Sequence, residues 1–296
     1  MGVYHRAMVL VKTLRYLSSL CPGRCPGRAR PRRIGQYDFH EKLGSGGTGD
    51  VYRVTNAITG EEMACKEVRR SKSARAAKEI SILRTVKGDH LQKFNHSITR
   101  AGCTYILSHY NGGTDLFDLL VDHGPFDEGE LRPLAREMVE SLHECGESKV
   151  AHLDVKLENF VTKGSSVELI DFGSAHRLAD SSSEHRLDCL TGTTGYASPE
   201  VYQGSFFATS DVWSLGVCFW ILNTGAPPFL KRHKRHISDA QDLVRAHIFP
   251  TRDHDRQMRY MTAGLRDIFR GIFLADPRAR MTIEELRSHP WMKRST

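Results

Sequence analysis

The sequence predicts an α+β fold with two lobes, a small antiparallel β-sheet with one helix followed by a larger and mainly helical part. Two patterns carry this prediction. Between residues 37 and 110, short runs of alternating apolar and polar residues are separated by glycine-rich or polar turns, which is typical of antiparallel strands. Beyond the glycines at 112 and 113, apolar residues recur at helical spacing. The chain has 296 residues, of which 40% are hydrophobic, so it can bury a core in each lobe.

The small lobe is expected to contain five strands and one helix. The predicted strands are Tyr37–Leu43, Asp50–Asn56, Glu62–Val68, Leu91–Arg100 and Thr104–Tyr110. The helix is predicted from Ser73 to Thr85, where Ala76, Ile80 and Leu83 share one apolar stripe. The turns between the first three strands are short, which favours antiparallel pairing.

The large lobe is expected to be mostly helical, with one strand at Val167–Ile170. The predicted helices are Leu116–Val121, Asp127–Glu144, Ser210–Asn223, Leu265–Phe273 and Ile283–Arg287. The longest apolar run, Val212–Leu222, reaches about half of the roughly 20 residues that a membrane-spanning helix needs. It is therefore predicted to be a buried helix, and no membrane span is expected.

The residues before the first strand differ in composition from the rest. Residues 1–36 contain eight of the 42 Lys and Arg residues and none of the 35 Asp and Glu residues. Such a segment cannot build a packed core, so we expect a basic, disordered arm; a segment that binds an anionic surface or directs nuclear import is the alternative. The expected domain boundaries are residues 1–36 for the arm and 37–293 for the folded domain, with lobes of about 37–110 and 111–293.

Cysteine usage and charge indicate the cellular setting. The seven cysteines are odd in number and show no metal-type spacing, which is typical of a reduced intracellular protein in the cytoplasm or nucleus, including a host cell if the chain is virus-encoded. Because the excess positive charge lies in the arm, the body has no basic face and nucleic acid is not an expected partner. The sequence does not indicate an oligomeric state.

A glycine-rich turn joins the first two predicted strands. Glycines let the backbone fold closely over phosphate groups and present N–H donors to them. The residues expected to contact a nucleotide here are Leu43, Gly44, Ser45, Gly46, Gly47, Thr48, Gly49 and Val51. A turn without a ligand would explain the pattern equally well. A dinucleotide-binding turn would lead into a helix, whereas this turn leads into a strand.

A lysine and a glutamate give the glycine turn a second element. Lys66 ends the third predicted strand, two residues after Ala64, and can lie beneath the turn. Glu79 falls within the apolar stripe of the predicted helix, where a carboxylate needs a cation. We therefore expect a pair between Lys66 and Glu79 that holds the α- and β-phosphates of a nucleotide, with Ala64 also contacting it. A surface glutamate is the alternative.

The strongest pattern lies in the large lobe. His-Leu-Asp-Val-Lys-Leu-Glu-Asn at residues 152–159 is followed by Asp-Phe-Gly at residues 171–173, and further motifs stand at residues 192–200 and 211–216. With these motifs, residues 37–293 resemble the eukaryotic serine/threonine protein kinase family. The resemblance implies a bilobal kinase fold and transfer of the γ-phosphate of ATP, with Mg²⁺, to serine or threonine hydroxyls of protein substrates.

The resemblance also implies a role for each charged residue of these motifs. Asp154 would accept the proton of the substrate hydroxyl as catalytic base, and Lys156 would offset charge on the transferred phosphoryl group. Asn159 and Asp171 would bind Mg²⁺. A pseudokinase that acts as a scaffold, or a nucleotide-binding module without transfer activity, is the alternative. Such proteins usually lack the lysine, the base or the metal-binding aspartate, and all of these are present here.

Several positions depart from the family pattern. Leu153 replaces the arginine that in this family receives a phosphate on the activation segment, which implies activity independent of phosphorylation there. Thr48 stands where an aromatic residue often covers the glycine turn. Asp115 and Glu158 occupy positions at which some members hold substrate arginines, so a preference for basic residues near the acceptor is a hypothesis. A ribose contact or surface charge is the alternative for these two acids.

Overall fold

The structure is a computed structural model that describes residues 33–189, 191–229 and 252–293. The basic arm expected at residues 1–36 lies outside the described residues, except for its last four positions. No helix in the described part of the chain combines the length and the apolar character that a membrane crossing requires. The two-lobed α+β architecture expected from the sequence is confirmed.

The small lobe is built on a six-stranded antiparallel sheet with the order β1-β2-β3-β4-β6-β5. Its strands are β1 Arg33–Ile34, β2 Tyr37–Ser45, β3 Asp50–Asn56, β4 Glu62–Arg69, β5 Phe94–Arg100 and β6 Cys103–His109. Alternate residues of β2 and β3 face an apolar cluster that includes Phe39, Tyr52 and Val54. The five expected strands are all present.

Two details of this sheet differ from the expectation. A sixth strand, β1, pairs with β2 through the register Arg33–Asp38 and Ile34–Tyr37, although these positions were assigned to the arm. The strand expected from Leu91 begins at Phe94 instead. Leu91 forms a parallel bridge with Leu169 of the large lobe, so the three residues before Phe94 connect the lobes rather than extend the sheet.

One helix, α1 Ser73–Leu83, packs against the sheet, and a 3₁₀ turn at Arg70–Lys72 leads into it from β4. Its buried residues are Ala76, Glu79, Ile82 and Leu83. The helix ends two residues before the expected Thr85, whose side chain hydroxyl donates to the Ile82 carbonyl and so closes the last turn.

The large lobe contains eight helices among the described residues. They are α2 Leu116–His123, α3 Glu128–Glu147, α4 Pro199–Tyr202, α5 Thr209–Thr224, α6 Arg252–Met258, α7 Ala263–Ile272, α8 Ile283–Ser288 and α9 Pro290–Lys293. Its short strands are β7 Thr114–Asp115, β8 Val150–Ala151, β9 Phe160–Lys163, β10 Ser166–Leu169, β11 His176–Arg177, β12 His185–Arg186 and β13 Ser205–Phe206. All five expected helices are present, with small shifts at their ends.

Helix α5 forms the centre of the large lobe. Every residue from Ser210 to Leu222 is buried, which confirms that the long apolar run is a core helix. Gly216 makes this packing close, because a Cβ there would lie 2.5 Å from the Ile272 side chain of α7. The N-terminal end of α5 carries Asp211, which binds the catalytic-loop motif at residues 152–159, so the core of the lobe fixes that loop in space.

Candidate active site

Lys66 connects the small lobe to the large lobe. It stands on β4, opposite Val51 of β3, and its ammonium donates to Glu79 Oε1 and to Asp171 Oδ1, each at 2.7 Å. Lys66 is 7% exposed and Glu79 is 2% exposed. Three residues that are far apart in the sequence therefore meet in one buried ionic cluster, and the expected pair between Lys66 and Glu79 is present.

The charges of this cluster support one another. Burial alone would lower the pKa of the Lys66 ammonium, but Asp171 and Glu79 outweigh it and raise that pKa. Burial would likewise raise the pKa of Asp171, and the nearby Lys66 reverses this, so that Asp171 stays anionic. Burial does raise the pKa of Glu79, against the opposing effect of Lys66. Glu79 Oε2 has no hydrogen-bond partner among the described residues, which makes Lys66 the main support of its charge.

The catalytic-loop motif is held from below by Asp211. Its two carboxylate oxygens accept the backbone N–H groups of His152 at 2.6 Å and of Leu153 at 2.8 Å. Leu153 has a φ of 60°, a left-handed conformation that costs a side-chain-bearing residue about 1 kcal/mol or more. The two hydrogen bonds to Asp211 stabilise this bend, which directs the following residue, Asp154, away from the core.

Asp154 lies at the centre of a second polar group. Lys156 Nζ donates to Asp154 Oδ2 at 2.8 Å, and the Thr193 hydroxyl donates to Asp154 Oδ1 at 2.6 Å. Asn159 Nδ2 donates to the backbone carbonyl of Asp154 at 2.8 Å. Burial would lower the pKa of Lys156, and Asp154 outweighs this effect and raises it. Asp154, Lys156 and Asn159 therefore form one hydrogen-bonded unit.

The two polar groups are joined at Ile170, the residue before Asp171. The Ile170 amide donates to the Asn159 carbonyl at 2.8 Å, and His152 Nε2 donates to the Ile170 carbonyl at 3.1 Å. These bonds tie the catalytic loop to the chain that leads into Asp171. The structure thus brings Lys66, Glu79, Asp154, Lys156, Asn159 and Asp171 to a single cleft between the lobes.

The glycine turn between β2 and β3 folds over Asp171. The Gly46 amide donates to the Gly49 carbonyl at 2.8 Å and closes the turn. A Cβ on Gly46 would lie 3.8 Å from Asp171 Oδ2, and Thr48 Oγ1 lies 3.2 Å from the Cβ position of Gly173. A Cβ on Gly49 would lie 2.1 Å from the Glu67 carbonyl oxygen, so only glycine fits there.

The other residues expected at the nucleotide line the same end of the sheet. Leu43 is 39% exposed, and in the β2–β3 register Gly44 stands opposite Val51. The Ser45 hydroxyl donates to Asp50, which anchors the exit of the turn, and Gly47 lies at its tip. Ala64 stands opposite the buried Ser108 in the β4–β6 register. The expected residues thus lie on β2, the glycine turn, β3 and β4, the strand that carries Lys66.

Two oxygens of the cleft suit a hard divalent cation. Because the amide nitrogen of Asn159 is used by the Asp154 carbonyl, its Oδ1 is the atom available to a ligand. Asp171 binds Lys66 through Oδ1, which leaves Oδ2 beneath the glycine turn. Magnesium is usually held by one or two such groups together with phosphate oxygens. Asn159 and Asp171 could therefore hold Mg²⁺ with the phosphates of a nucleotide.

Sequence reasoning did not assign the contacts of Thr193, Gln92 and Ser198. Thr193 donates to Asp154, and the Gln92 side chain accepts the Asp171 amide at 2.9 Å. Gln92 also donates to Ser108 at 2.9 Å. The motif at residues 192–200 contained Thr193, which was a usable signal, whereas no pattern marked Gln92.

The activation segment, the stretch between Asp171 and Glu200, is fixed at its far end by a buried ion pair. Arg280 donates to both oxygens of Glu200, at 2.7 and 3.0 Å, and Ser198 and Ser210 donate to Glu200 Oε1. Burial would raise the pKa of Glu200, and the Arg280 guanidinium outweighs it and lowers that pKa. Ser198 is part of this network.

Known proteins with similar sequences were compared with this chain. A model of the protein kinase domain matches residues 37–292. The chain is 30% identical over 283 residues to calcium-dependent protein kinase 1 of Oryza sativa subsp. japonica, an alignment that covers 92% of this chain and 53% of that protein. It is 28% identical to calcium-dependent protein kinase 24 of Arabidopsis thaliana, over 90% of this chain and 47% of that protein. It is also 28% identical to the serine/threonine protein kinase OSK3 of Oryza sativa subsp. indica, over 92% and 53% respectively. The chain spans about half the length of these relatives.

Proposed function

The chain belongs to the protein kinase family, and on this premise we propose that it transfers the γ-phosphate of ATP to serine or threonine hydroxyls of protein substrates. One observation carries the proposal. Lys66, Glu79 and Asp171 form a buried ionic cluster, and Asp154, Lys156 and Asn159 form a hydrogen-bonded unit that is joined to it through Ile170. Phosphoryl transfer needs mainly positioned cations, metal-binding oxygens and an aligned hydroxyl, and this cleft provides a residue for each.

The phosphates would bind between the glycine turn and Lys66. The turn presents backbone N–H groups to the phosphate oxygens, and the Lys66 ammonium, oriented by Glu79, binds the α- and β-phosphates. Asn159 and Asp171 would hold Mg²⁺, which when bound neutralises charge on the β- and γ-phosphates. Because Asp171 is kept anionic by Lys66, its oxygen is ready to bind a cation.

The acceptor hydroxyl would bind at Asp154. The Thr193 hydroxyl already donates to Asp154 Oδ1, which shows that this oxygen accepts an O–H group in the cleft. A substrate hydroxyl at the same carboxylate would be oriented toward the γ-phosphate and would give up its proton there. Lys156, 2.8 Å from Asp154, would place a positive charge beside the transferred phosphoryl group.

A labelled-phosphate assay tests the proposal. The purified chain is incubated with Mg²⁺, ATP labelled on the γ-phosphate and a generic basic protein, beside the Lys66→Met and Asp154→Asn variants. We expect label on serine and threonine of the substrate, and a loss of at least about 100-fold in both variants. A folded wild-type chain that binds ATP without transferring label would instead favour a nucleotide-binding scaffold.

The substrates are proposed to carry basic residues near the acceptor. Glu158, which follows the catalytic base by four positions, has a buried Oε2 without a hydrogen-bond partner among the described residues. Burial raises its pKa, Lys156 opposes this, and Asp115 and Asp154 raise it further. A substrate arginine would place a cation beside Glu158 and Asp115. In an array of peptides that differ only by Arg or Ala before the acceptor, the chain should phosphorylate the Arg peptides faster, and Glu158→Gln should reduce that preference. Equal phosphorylation rates for the Arg and Ala peptides would exclude a preference for basic residues.

A further inference from the structure

We infer that Lys72 is a positioning residue for the nucleotide: it holds the carbonyl of Gly47 and thereby turns the next backbone amide toward the phosphates. The inference rests on the proposed function, because it assigns a task within the same cleft. Lys72 lies in the 3₁₀ turn Arg70–Lys72 between β4 and α1, and its Nζ is 2.5 Å from the Gly47 carbonyl oxygen. Its side chain is half-buried, whereas Ser71 and Ser73 on either side are exposed.

This contact completes the fixation of the glycine turn. At the base of the turn, Asp50 Oδ1 accepts from Lys42 Nζ at 2.6 Å and from the Ser45 hydroxyl at 2.5 Å. At the tip, Lys72 is the side chain that binds the backbone, through Gly47. A glycine-rich turn has many backbone conformations of similar energy, so one charged donor at the tip can select among them.

The direction of the Gly47 carbonyl decides the direction of the following amide. In a planar trans peptide the C=O and N–H groups point to opposite sides. Because the Gly47 carbonyl points toward Lys72, the Thr48 amide points away from Lys72. The Thr48 side chain lies on the cleft side, 3.2 Å from the Cβ position of Gly173. The Thr48 N–H is therefore offered to the region above Asp171, where the phosphates would bind.

The position of Lys72 also links the turn to helix α1. Lys72 directly precedes α1, and the same helix carries Glu79, which orients Lys66. A displacement of α1 would thus move the partner of Gly47 and the partner of Lys66 together. The connection between Lys66 and Glu79 contains only twelve residues. This short connection limits how far α1 can move, so the Lys72–Gly47 and Lys66–Glu79 contacts form or break together.

A set of Lys72 variants tests the inference in the full chain. Lys72→Met keeps the length of the side chain and removes the donor, and we expect it to raise the KM for ATP about threefold to tenfold with a smaller change in kcat. Affinity for a non-hydrolysable ATP analogue should fall by a similar factor, while affinity for adenosine should stay unchanged. Lys72→Arg should restore most of the ATP affinity. Lys163→Met, an equal charge change at an exposed position on β9, is the matched control and should behave as wild type.

A double-mutant cycle tests the path through Thr48. Thr48→Pro removes the backbone N–H, whereas Thr48→Ala removes the hydroxyl and keeps the N–H. We expect Lys72→Met to raise the KM for ATP in the Thr48→Ala background and to have no further effect in the Thr48→Pro background. Equal effects of Lys72→Met in both backgrounds would mean that Lys72 acts directly on phosphate, and would overturn the inference.

The inference and the proposed function can fail separately. If the wild-type chain transfers label and Lys72→Met has the wild-type KM for ATP, the role of Lys72 is refuted and the kinase activity stands. If Lys72→Met lowers the affinity for adenosine as much as the affinity for the ATP analogue, the substitution changes the pocket in general and the inference is again refuted. If the folded wild type transfers no label, the proposed function itself fails.

Discussion

At the scale of single residues, the cleft holds more negative than positive charge around Lys66. One ammonium contacts two carboxylates, Glu79 and Asp171, at 2.7 Å each. The cluster therefore carries a net negative charge and favours a further cation, which fits the binding of Mg²⁺ near Asp171. The same arrangement makes the protein depend on Lys66 for stability, because the carboxylates have no other cation within 4 Å among the described residues.

Lys66→Met should therefore affect stability as well as activity. We expect it to lower the free energy of unfolding by about 3 kcal/mol, since it leaves the buried Glu79 without its cation, and to abolish label transfer. Adding Glu79→Gln should recover part of that stability, because it removes the unpaired charge, without recovering transfer. Denaturant titration and the transfer assay on the same preparations check both results. An unfolding midpoint of Lys66→Met equal to that of wild type would contradict the argument.

The sequence predicted the charged residues of the site better than the neutral ones. Lys66 and Glu79 could be assigned because a carboxylate on an inward face needs a cation, whereas Asp171 was assigned through the family resemblance. Gln92 could not be assigned, since a neutral amide satisfies its hydrogen bonds equally well in water, and the motif that contains Thr193 did not indicate its contact. Their contacts, at 2.6 Å to Asp154 and 2.9 Å from the Asp171 amide, depend on loop conformations that no local pattern reveals.

At the scale of elements, helix α1 is joined to the activation segment through a neutral histidine. His176 of β11 donates through Nδ1 to the Ser174 carbonyl at 2.9 Å, so its Nε2 is an acceptor, and Lys78 of α1 donates to it at 2.7 Å. Burial lowers the pKa of His176, and Lys78 lowers it further, while Asp188 opposes them. Protonation of His176 would place two cations in contact and separate the helix from the segment.

This contact should weaken in acid. The pKa of His176 is lower in the folded chain than in the unfolded chain, so the unfolded chain binds the extra proton, and the stabilisation present above about pH 6.5 is lost as the pH falls. We expect the melting temperature of wild type to fall between pH 7.5 and 5.5 more steeply than that of His176→Gln, whose amide oxygen accepts from Lys78 without a titrating group.

His185→Gln is a matched control for this measurement. His176 and His185 both pack against the ring of Phe206. His185 donates to the Asp180 carbonyl, whereas His176 accepts from the cation of Lys78. Replacement of His185 removes a ring from Phe206 without touching the contact between His176 and Lys78, so it reports the effect of lost packing alone. Parallel pH profiles for wild type and His176→Gln would exclude the proposed titration.

The elements themselves were largely predictable, because periodicity is a local property of the sequence. The start of β5 was not, because partners in the other lobe set it, and the end of α1 is set by the bond from the Thr85 hydroxyl to the Ile82 carbonyl. Leu91 pairs with Leu169, and the Gln92 amide donates to the Leu169 carbonyl, so this stretch leaves the sheet and the strand begins only at Phe94. Two-residue strands such as β8 and β11, which pair with each other, are too short to leave any pattern.

At the scale of the whole molecule, the activation segment packs against the catalytic loop through apolar contacts at Leu153, in addition to the ion pair at its far end. Leu153, which stands where the family has an arginine, is 4% exposed and belongs to a buried cluster. The other members of that cluster are Ala151, Leu178, Ala197, Val201 and Phe206. Hydrophobic packing between the catalytic loop and the segment therefore takes the place of an arginine–phosphate contact.

Transfer activity should consequently be independent of phosphorylation on the segment. We expect a variant with all five hydroxyl residues replaced by Ala to retain activity within about threefold, because no described contact of the apolar cluster involves them. The replaced residues are Ser181, Ser182, Ser183, Thr191 and Thr194. Leu153→Ala, which opens a cavity under the segment, should instead lose stability by about 2 to 4 kcal/mol and lose activity with it. If the variant with five alanine substitutions folds but transfers no label, activity would depend on these hydroxyl residues and the prediction would be wrong.

Arg280 determines how much of the chain a working fragment must contain. Every residue of the candidate active site precedes Glu200, and no nucleotide or substrate would touch Arg280, whose side chain is fully buried. A polypeptide truncated before Arg280 would still encode all of the chemistry, yet it would leave the Glu200 carboxylate inside the lobe without a counter-ion. Electrostatic neutralisation thus requires a functional fragment to extend at least to Arg280, well beyond the last group that takes part in the reaction.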